Sequence, residues 1–283
     1  MKYISPTNDL AFRKVLSSND NIHILAGLIK DFFFIEPTEL TIENPYSIKA
    51  YKELLKDQEV FRLRQTISDI AATMRWADYR SELQVRKNKH YDERSIYYPL
   101  DKFVSRYKVT PGENSAFARL RPVYSLNILG YNHFTDDEDA LRIFQLYDPE
   151  RGKKFNKDLL NFGYFELLKA NVETDNQRDW QNYFLQKPLS PTAPDYIREA
   201  LHIIDLSNID EEELTMVKQI EYYQSLYDDQ LAYAKDEGRV EGKGEGKIEV
   251  VLELLREGVP IDTIIKCSGF TKRQIEELQP VLY

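Results

Sequence analysis

The sequence predicts a mixed α/β fold: a central sheet with helices packed on it, followed by a mostly helical region. Two observations lead there. Apolar residues at helical spacing open the chain, and strand-like segments follow with a helical segment between them. The length of 283 residues, with 42% hydrophobic residues, 19 Tyr and 14 Phe, supplies enough apolar surface for a sizeable core and excludes global disorder.

In order, "TNDLAFRKVL" starts a helix, with Thr7 or Asn8 as N-cap and Asp9 in the first turn, where the helix dipole favours an anion. Its apolar stripe (Leu10, Phe12, Val15, Leu16) resumes at Ile22, Leu25, Leu28 and Ile29, and "SSNDN" at 17–21 divides the stretch into two helices. "LTIENPYSI" reads as a strand stopped or bulged at Pro45. Residues 49–60 are a short helix or an excursion between strands. "FRLRQTISDIAAT" and "YRSELQVRK" follow as two strands. "ERSIYYPLDKFVSRY" returns to helical spacing, with Ile96, Leu100, Phe103 and Tyr107 near one face. "PVYSLNILGY" has the composition of a buried strand, and "LRIFQLYDP" of another; "DLLNFGYFELLKA" reads as an amphipathic helix.

These readings divide the chain into an α/β core at 1–150, a helical extension at 151–236, a hinge at 237–246 and a small helical tail at 247–283. "EGRVEGKGEG" carries four glycines in ten residues, which marks a hinge or a frayed helix. In the tail, "IDTIIKCSGFTKRQIEEL" has the rhythm of a helix-turn-helix, with Lys272, Arg273 and Gln274 as candidates for a recognition helix. A helical hairpin serving self-association has the same rhythm.

The candidate chemistry lies in "RSELQV", residues 80–85. Alternate residues of a strand share a face, so Glu82 and Gln84 point one way and Leu83 and Val85 the other. Two inward-facing polar groups cost stability unless something binds them. Asp69, on the preceding strand, could bring a second carboxylate to the same ion. A hard cation such as Mg²⁺ takes oxygen ligands and would offset the repulsion between the two acids. The same spacing also fits a pair of exposed carboxylates with no ligand. Arg94, Tyr97 and Tyr98 lie at helical spacing just beyond. Arg94 suits either a DNA phosphate or a salt bridge; the tyrosines suit either stacking near the DNA or packing of the helix onto the sheet.

"NDLAFRKVL", "SDIAA", "SELQV", "YDERSIYYPLDKFVSRY" and "RPVYSLNIL" occur in this order, with "NFGYFELLKA" and the "EGRVEGKGEGK…LLREGVP…GFTKRQIEEL" tail after them. Together they resemble the PD-(D/E)XK nuclease superfamily, specifically its recombination-promoting nuclease and transposase branch, over most of the chain. The resemblance implies a restriction-endonuclease-like core and a Mg²⁺-dependent (or Mn²⁺-dependent) DNA endonuclease linked to recombination or mobile elements. Carried over by position, the metal-binding acids fall on Asp69 and Glu82 and the third motif residue on Gln84. Asp9 matches an accessory acid of the first helix. Lys87, Lys89 and Arg94 would line the phosphate path. Ser68 stands where the superfamily name implies proline, Ser81 is polar where the branch is usually apolar, and 49–63 adds length between the first two strands.

Charge fits a local rather than a global affinity for nucleic acid. The net charge is −9, yet residues 1–125 carry +4 and 126–283 carry −13. Between residues 75 and 108 nine basic residues face five acidic ones. No apolar run approaches a membrane span, the N-terminus lacks the regions of a signal peptide, and a lone Cys267 precludes an internal disulfide, so a soluble cytoplasmic protein is expected. Four scattered histidines (23, 90, 133, 202) form no zinc pattern, and "GKGEGK" lacks the spacing of a nucleotide-binding loop. DNA is the expected partner, with a homodimer as one arrangement on a duplex. The rival expectations are a catalytically silent DNA-binding or interaction protein on the same scaffold, and a partner-binding protein acting through its acidic helices.

Overall fold

The computed structural model describes residues 3–49, 70–107, 116–155 and 158–278. It forms two compact units, Met1–Lys218 and Gln219–Tyr283.

The first unit opens with helix α1 (Asp9–Leu16), capped by the Asn8 side chain accepting from the Leu10 N–H at 3.0 Å. Helix α2 (Ile22–Phe33) follows a 3₁₀ turn at 19–21, so the two-helix reading of this stretch holds. Strands β1 (Thr41–Ile42), β2 (Ile70–Thr73) and β3 (Asp78–Gln84) pair antiparallel. Helix α3 (Tyr91–Ser105) then crosses to β4 (Val123–Leu129), which runs parallel to β3 as such a crossover requires. Beyond it come β5 (Leu141–Phe144), the short pair β6 (Tyr147–Asp148) and β7 (Lys153–Lys154), and β8 (Leu160–Glu166). The main sheet has the order β1-β2-β3-β4-β8-β5.

Two strands differ from expectation. "DLLNFGYFELLKA" contributes β8, a central strand parallel to β4, and not a helix. Leu160, Phe162 and Tyr164 alternate with Asn161 and Gly163, but Phe165, Glu166, Leu167 and Leu168 break the alternation, so the longer stretch also fits a helical period. The sheet therefore draws on residues beyond 150. "LRIFQLYDP", expected to be buried, supplies the half-exposed edge strand β5, with Ile143 and Phe144 exposed.

Register assigns side chains to two faces. Tyr79, Leu83, Tyr124, Leu126, Ile128 and Phe165 point to α2, where Phe32 meets Phe165 edge-on at 4.6 Å and Phe33 meets Tyr124 at 5.2 Å. Gly163 lets Phe33 close onto β8: a Cβ there would stand 3.1 Å from the Phe33 ring. Helices α4 (Asp175–Phe184) and α5 (Asp195–Ile203) join α2 around Asp31. That buried carboxylate accepts from Asn176 Nδ2, Trp180 Nε1 and Tyr196 Oη, each at 2.8 Å, so its role is to tie three helices together.

The opposite face carries Asp78, Arg80, Glu82, Gln84, Ser125, Asn127, Tyr164 and Glu166, and α3 lies on it. The apolar stripe expected of α3 is only partly buried, with Leu100 and Phe103 half-buried. Ile96 and Tyr107 are exposed, while Tyr91, Ser95, Pro99 and Lys102 are buried. The sheet face beneath is polar at Asp78, Glu82 and Asn127 and apolar at Leu129 and Tyr164, and the helix turns Ser95 and Lys102 as well as the Tyr91 ring inward. Arg106 is paired with the fully buried Asp78, and Lys102 with Glu43.

Helix α6 (Glu211–Arg256) begins in the first unit and continues into the second. Residues 237–246, read as a hinge or a frayed helix, are helical within it. In the second unit α6, α7 (Ile261–Ser268) and α8 (Lys272–Leu278) enclose Val251, Ile264 and Ile275. Gly269, at φ 73°, provides the left-handed cap of α7. Lys272 and Arg273 pair with Glu276 and Glu277 one turn on, and Gln274 accepts from the Thr271 N–H at 2.9 Å as a helix cap. The three recognition-helix candidates are thus engaged within their own helix.

Candidate active site

Glu82 and Gln84 sit on β3 between β2 and β4, and strand alternation points both at α3. Both are buried; the Glu82 side chain is only 7% exposed. A carboxylate this far from water requires a cation or several donors. Arg94, one turn into α3, provides the charge. Its Nη2 donates to Glu82 Oε1 at 2.6 Å and to Gln84 Oε1 at 2.5 Å. The Gln84 amide is oriented from its other end, Nε2 donating to the Arg86 carbonyl at 2.5 Å. Two hard oxygens from one strand face therefore converge on a single cationic point.

Glu82 also borders a small cleft lined by Arg80, Ser95, Tyr98, Ser125 and Asn127. Asn127 lies beside Glu82 in register and is held by donating from Nδ2 to the Gly163 carbonyl at 3.1 Å. Ser95 shares a 2.8 Å hydrogen bond with Tyr164, pinning α3 to β8. Tyr91 packs near Arg94, whose Cζ lies 5.9 Å from its ring centre. Burial, followed by the Glu82 charge, raises the Tyr91 hydroxyl well above its ordinary range, and burial with Asp92 pushes Tyr131 up to about 12. Neither phenol is an acid or base for chemistry near neutrality.

The other expected residues fall as follows. Asp69 lies outside the described residues, as do Ser68 and most of the 49–63 insertion. Described β2 begins at Ile70, paired with Ser81. Asp9 stands in the first turn of α1, with Arg13 of the same helix at 3.5 Å. Lys87 and Lys89 are exposed on the loop that follows β3, the Lys87 ammonium 5.7 Å from the Tyr131 ring centre. Of the two readings of Arg94, the salt bridge is what the structure contains. Tyr97 does not pack onto the sheet, being 61% exposed, whereas Tyr98 reaches the cleft. Val85, set opposite Gln84 by alternation, is exposed.

Sequence reasoning missed Arg80, Asp78 and Asn127. The first two share the alternation that selected Glu82 and Gln84, so extending it toward the start of β3 finds them. Asn127 is the lone carboxamide in the apolar "VYSLNIL".

The donor set suits a divalent cation: a carboxylate and an amide oxygen, both already directed at one positive centre. Among the described residues no three His, Cys, Asp or Glu side chains gather as a metal cluster, so Glu82 and Gln84 would need a further ligand.

A mixed sheet with a polar pair on its third strand, and Arg94 of the crossover helix above that pair, is consistent with a nuclease-like α/β core. The chain belongs to the PD-(D/E)XK nuclease family transposases, whose family model matches residues 6–234. No curated protein and no solved structure matches it. No helix among the described residues is long and apolar enough to cross a membrane.

Proposed function

We propose that this protein is a divalent-metal-dependent DNA endonuclease in which Asp69 and Glu82 hold Mg²⁺ or Mn²⁺ and Gln84 positions the attacking water. The observation that carries this reading is the convergence of the Glu82 and Gln84 oxygens on one cationic nitrogen. The pairing of Ile70 with Ser81 supports Asp69, because the strand that follows Asp69 starts beside the one that carries Glu82. A bound divalent ion supplies Lewis-acid activation of the phosphate and a more acidic water. Gln84 is neutral, so its amide orients a water by hydrogen bonding but takes no proton from it. Compared with the lysine usual at this motif position, it also adds no positive charge to the transition state. Lys87 and Lys89 attract the flanking phosphates without reading sequence. Asp9 is assigned as an accessory acid on the family resemblance alone. Recombination or mobile-element movement, in the cytoplasm and with a homodimer as one arrangement on the duplex, is the role this chemistry would serve.

A second reading, a catalytically silent DNA-binding or interaction member of the same scaffold, is favoured by the Arg94 contact that neutralises Glu82. Plasmid nicking in Mg²⁺ or Mn²⁺ separates the two. The endonuclease reading expects nicking by the wild type and a loss of about a hundredfold or more in Asp69→Ala and Glu82→Gln. Nicking that survives both substitutions defeats the site; DNA binding without nicking selects the second reading.

A further inference from the structure

We propose that Arg94 is an internal cation which the divalent metal must displace from Glu82 and Gln84, and that the displaced guanidinium then grips a DNA phosphate. This rests on the metal-site reading above and goes beyond it by coupling metal binding to substrate binding.

Three observations carry it. First, the Glu82 oxygen that would hold a metal and the Gln84 oxygen that would face its water both accept from one nitrogen of Arg94, at 2.6 and 2.5 Å. Metal and guanidinium cannot hold these oxygens together, because two cations at one point repel and the oxygens are shared. Second, the contact is not the one a guanidinium satisfies best. A carboxylate usually takes two parallel N–H donors from Arg, yet Glu82 is reached through Nη2 alone. Arg94 Nε is buried with no hydrogen-bond partner among the described residues. A buried unpaired donor is costly, and a phosphate, with several acceptor oxygens, could satisfy it together with the released Nη2. Third, Arg94 lies on the helix that covers the cleft, and the loop leading into that helix presents Lys87 and Lys89 to solvent. A guanidinium leaving Glu82 would join cations already placed for a DNA backbone.

The energetic consequence is a reduced apparent metal affinity. Metal binds only the fraction of molecules in which Arg94 has left, so its dissociation constant rises by the inverse of that fraction. DNA that captures the released guanidinium favours the same state, so metal and DNA each tighten the other's binding by one factor.

The test is Mn²⁺ binding to the full chain, followed by electron paramagnetic resonance of the free ion, for wild type, Arg94→Met, Arg94→Lys and Glu82→Gln. Duplex affinity is measured in parallel with and without Ca²⁺. Arg94→Met should bind Mn²⁺ at least tenfold more tightly than wild type, and Ca²⁺ should strengthen duplex binding in wild type but not in this variant. Arg94→Lys, which keeps the charge without the planar fork, should fall between the two in Mn²⁺ affinity and serves as the probe if Arg94→Met does not fold. Wild-type Mn²⁺ affinity retained in both Arg94 variants, with binding lost in Glu82→Gln, overturns the exchange while leaving the metal site standing. Absence of binding in wild type and the Arg94 variants alike, or full binding by Glu82→Gln, overturns the metal site and the exchange together.

Discussion

The two faces of the central sheet are buried by opposite means. Toward α2 the strands present Tyr79, Leu83, Tyr124, Leu126, Ile128 and Phe165, and the helix answers with Phe32 and Phe33. Toward α3 they present Asp78, Arg80, Glu82, Gln84, Ser125 and Asn127, and the helix answers with Arg94, Lys102 and Arg106. The first face gains free energy in proportion to the apolar area it removes from water. The second spends desolvation energy and recovers it only where each charge finds a geometrically good partner. Apolar packing thus dominates one side, while the other combines charged pairs with a smaller apolar cluster of Tyr91, Leu129 and Tyr164. Glu82 and Gln84, the residues of the proposed site, are held in place by a pairing with Arg94 that contributes little net stability.

The sharpest way to break this contrast is to orphan a charge on the polar face. Asp78→Ala removes the fully buried partner of Arg106, leaving the guanidinium Thr73 and the more distant Glu43, and should cost about 3 kcal/mol by urea unfolding. The double change Asp78→Leu/Arg106→Met should recover most of that loss, since a buried ion pair is often replaceable by apolar residues of similar volume. If the double variant is as unstable as the single one, the pair is a net source of stability and the two faces are more alike than described.

On the apolar face Leu126→Ala should cost about 2–4 kcal/mol through lost burial and the cavity beside Phe33 and Gly163. Metal and DNA affinity of the folded variant should stay at wild-type levels, because its side chain points away from Glu82. A loss of metal binding matching the loss of stability would mean that the faces are coupled.

The smallest effect concerns pH. Partial burial opposes ionisation of Glu43, but hydrogen bonds from Lys102 and Thr73 with the charges of Lys102 and Arg106 outweigh it and hold the carboxyl below 4.5. A carboxyl depressed in the folded state contributes stability above its unfolded value, and that contribution is lost as pH falls through the folded value. Stability should therefore decline below about pH 4.5, and Lys102→Met should make this acid limb shallower while lowering stability near neutrality. Parallel acid limbs in urea titrations of the two proteins would remove Glu43 from the polar network.

How much was legible in the sequence follows the range of the interactions involved. The Asn8 cap, the break at 17–21, the shared face of Glu82 and Gln84 and the buried character of β4 arise from neighbours a few residues apart, so a linear reading finds them. The identity of β8 was not legible. Its alternation of Leu160, Phe162 and Tyr164 with Asn161 and Gly163 is lost from Phe165 onward, and its parallel pairing with β4 is what makes it a strand. Nor was the inward face of α3. Its apolar stripe suggested one orientation, and the charges of Asp78 and Glu82 imposed another.

By itself, then, the sequence determined the fold class, the family resemblance and which polar residues of β3 share a side, because chain connectivity and side-chain alternation are local properties. Tertiary structure alone decided that Arg94 reaches across ten and twelve residues to hold Gln84 and Glu82 at once. That contact depends on where the crossover helix comes to rest, which is set by the packing of the whole sheet.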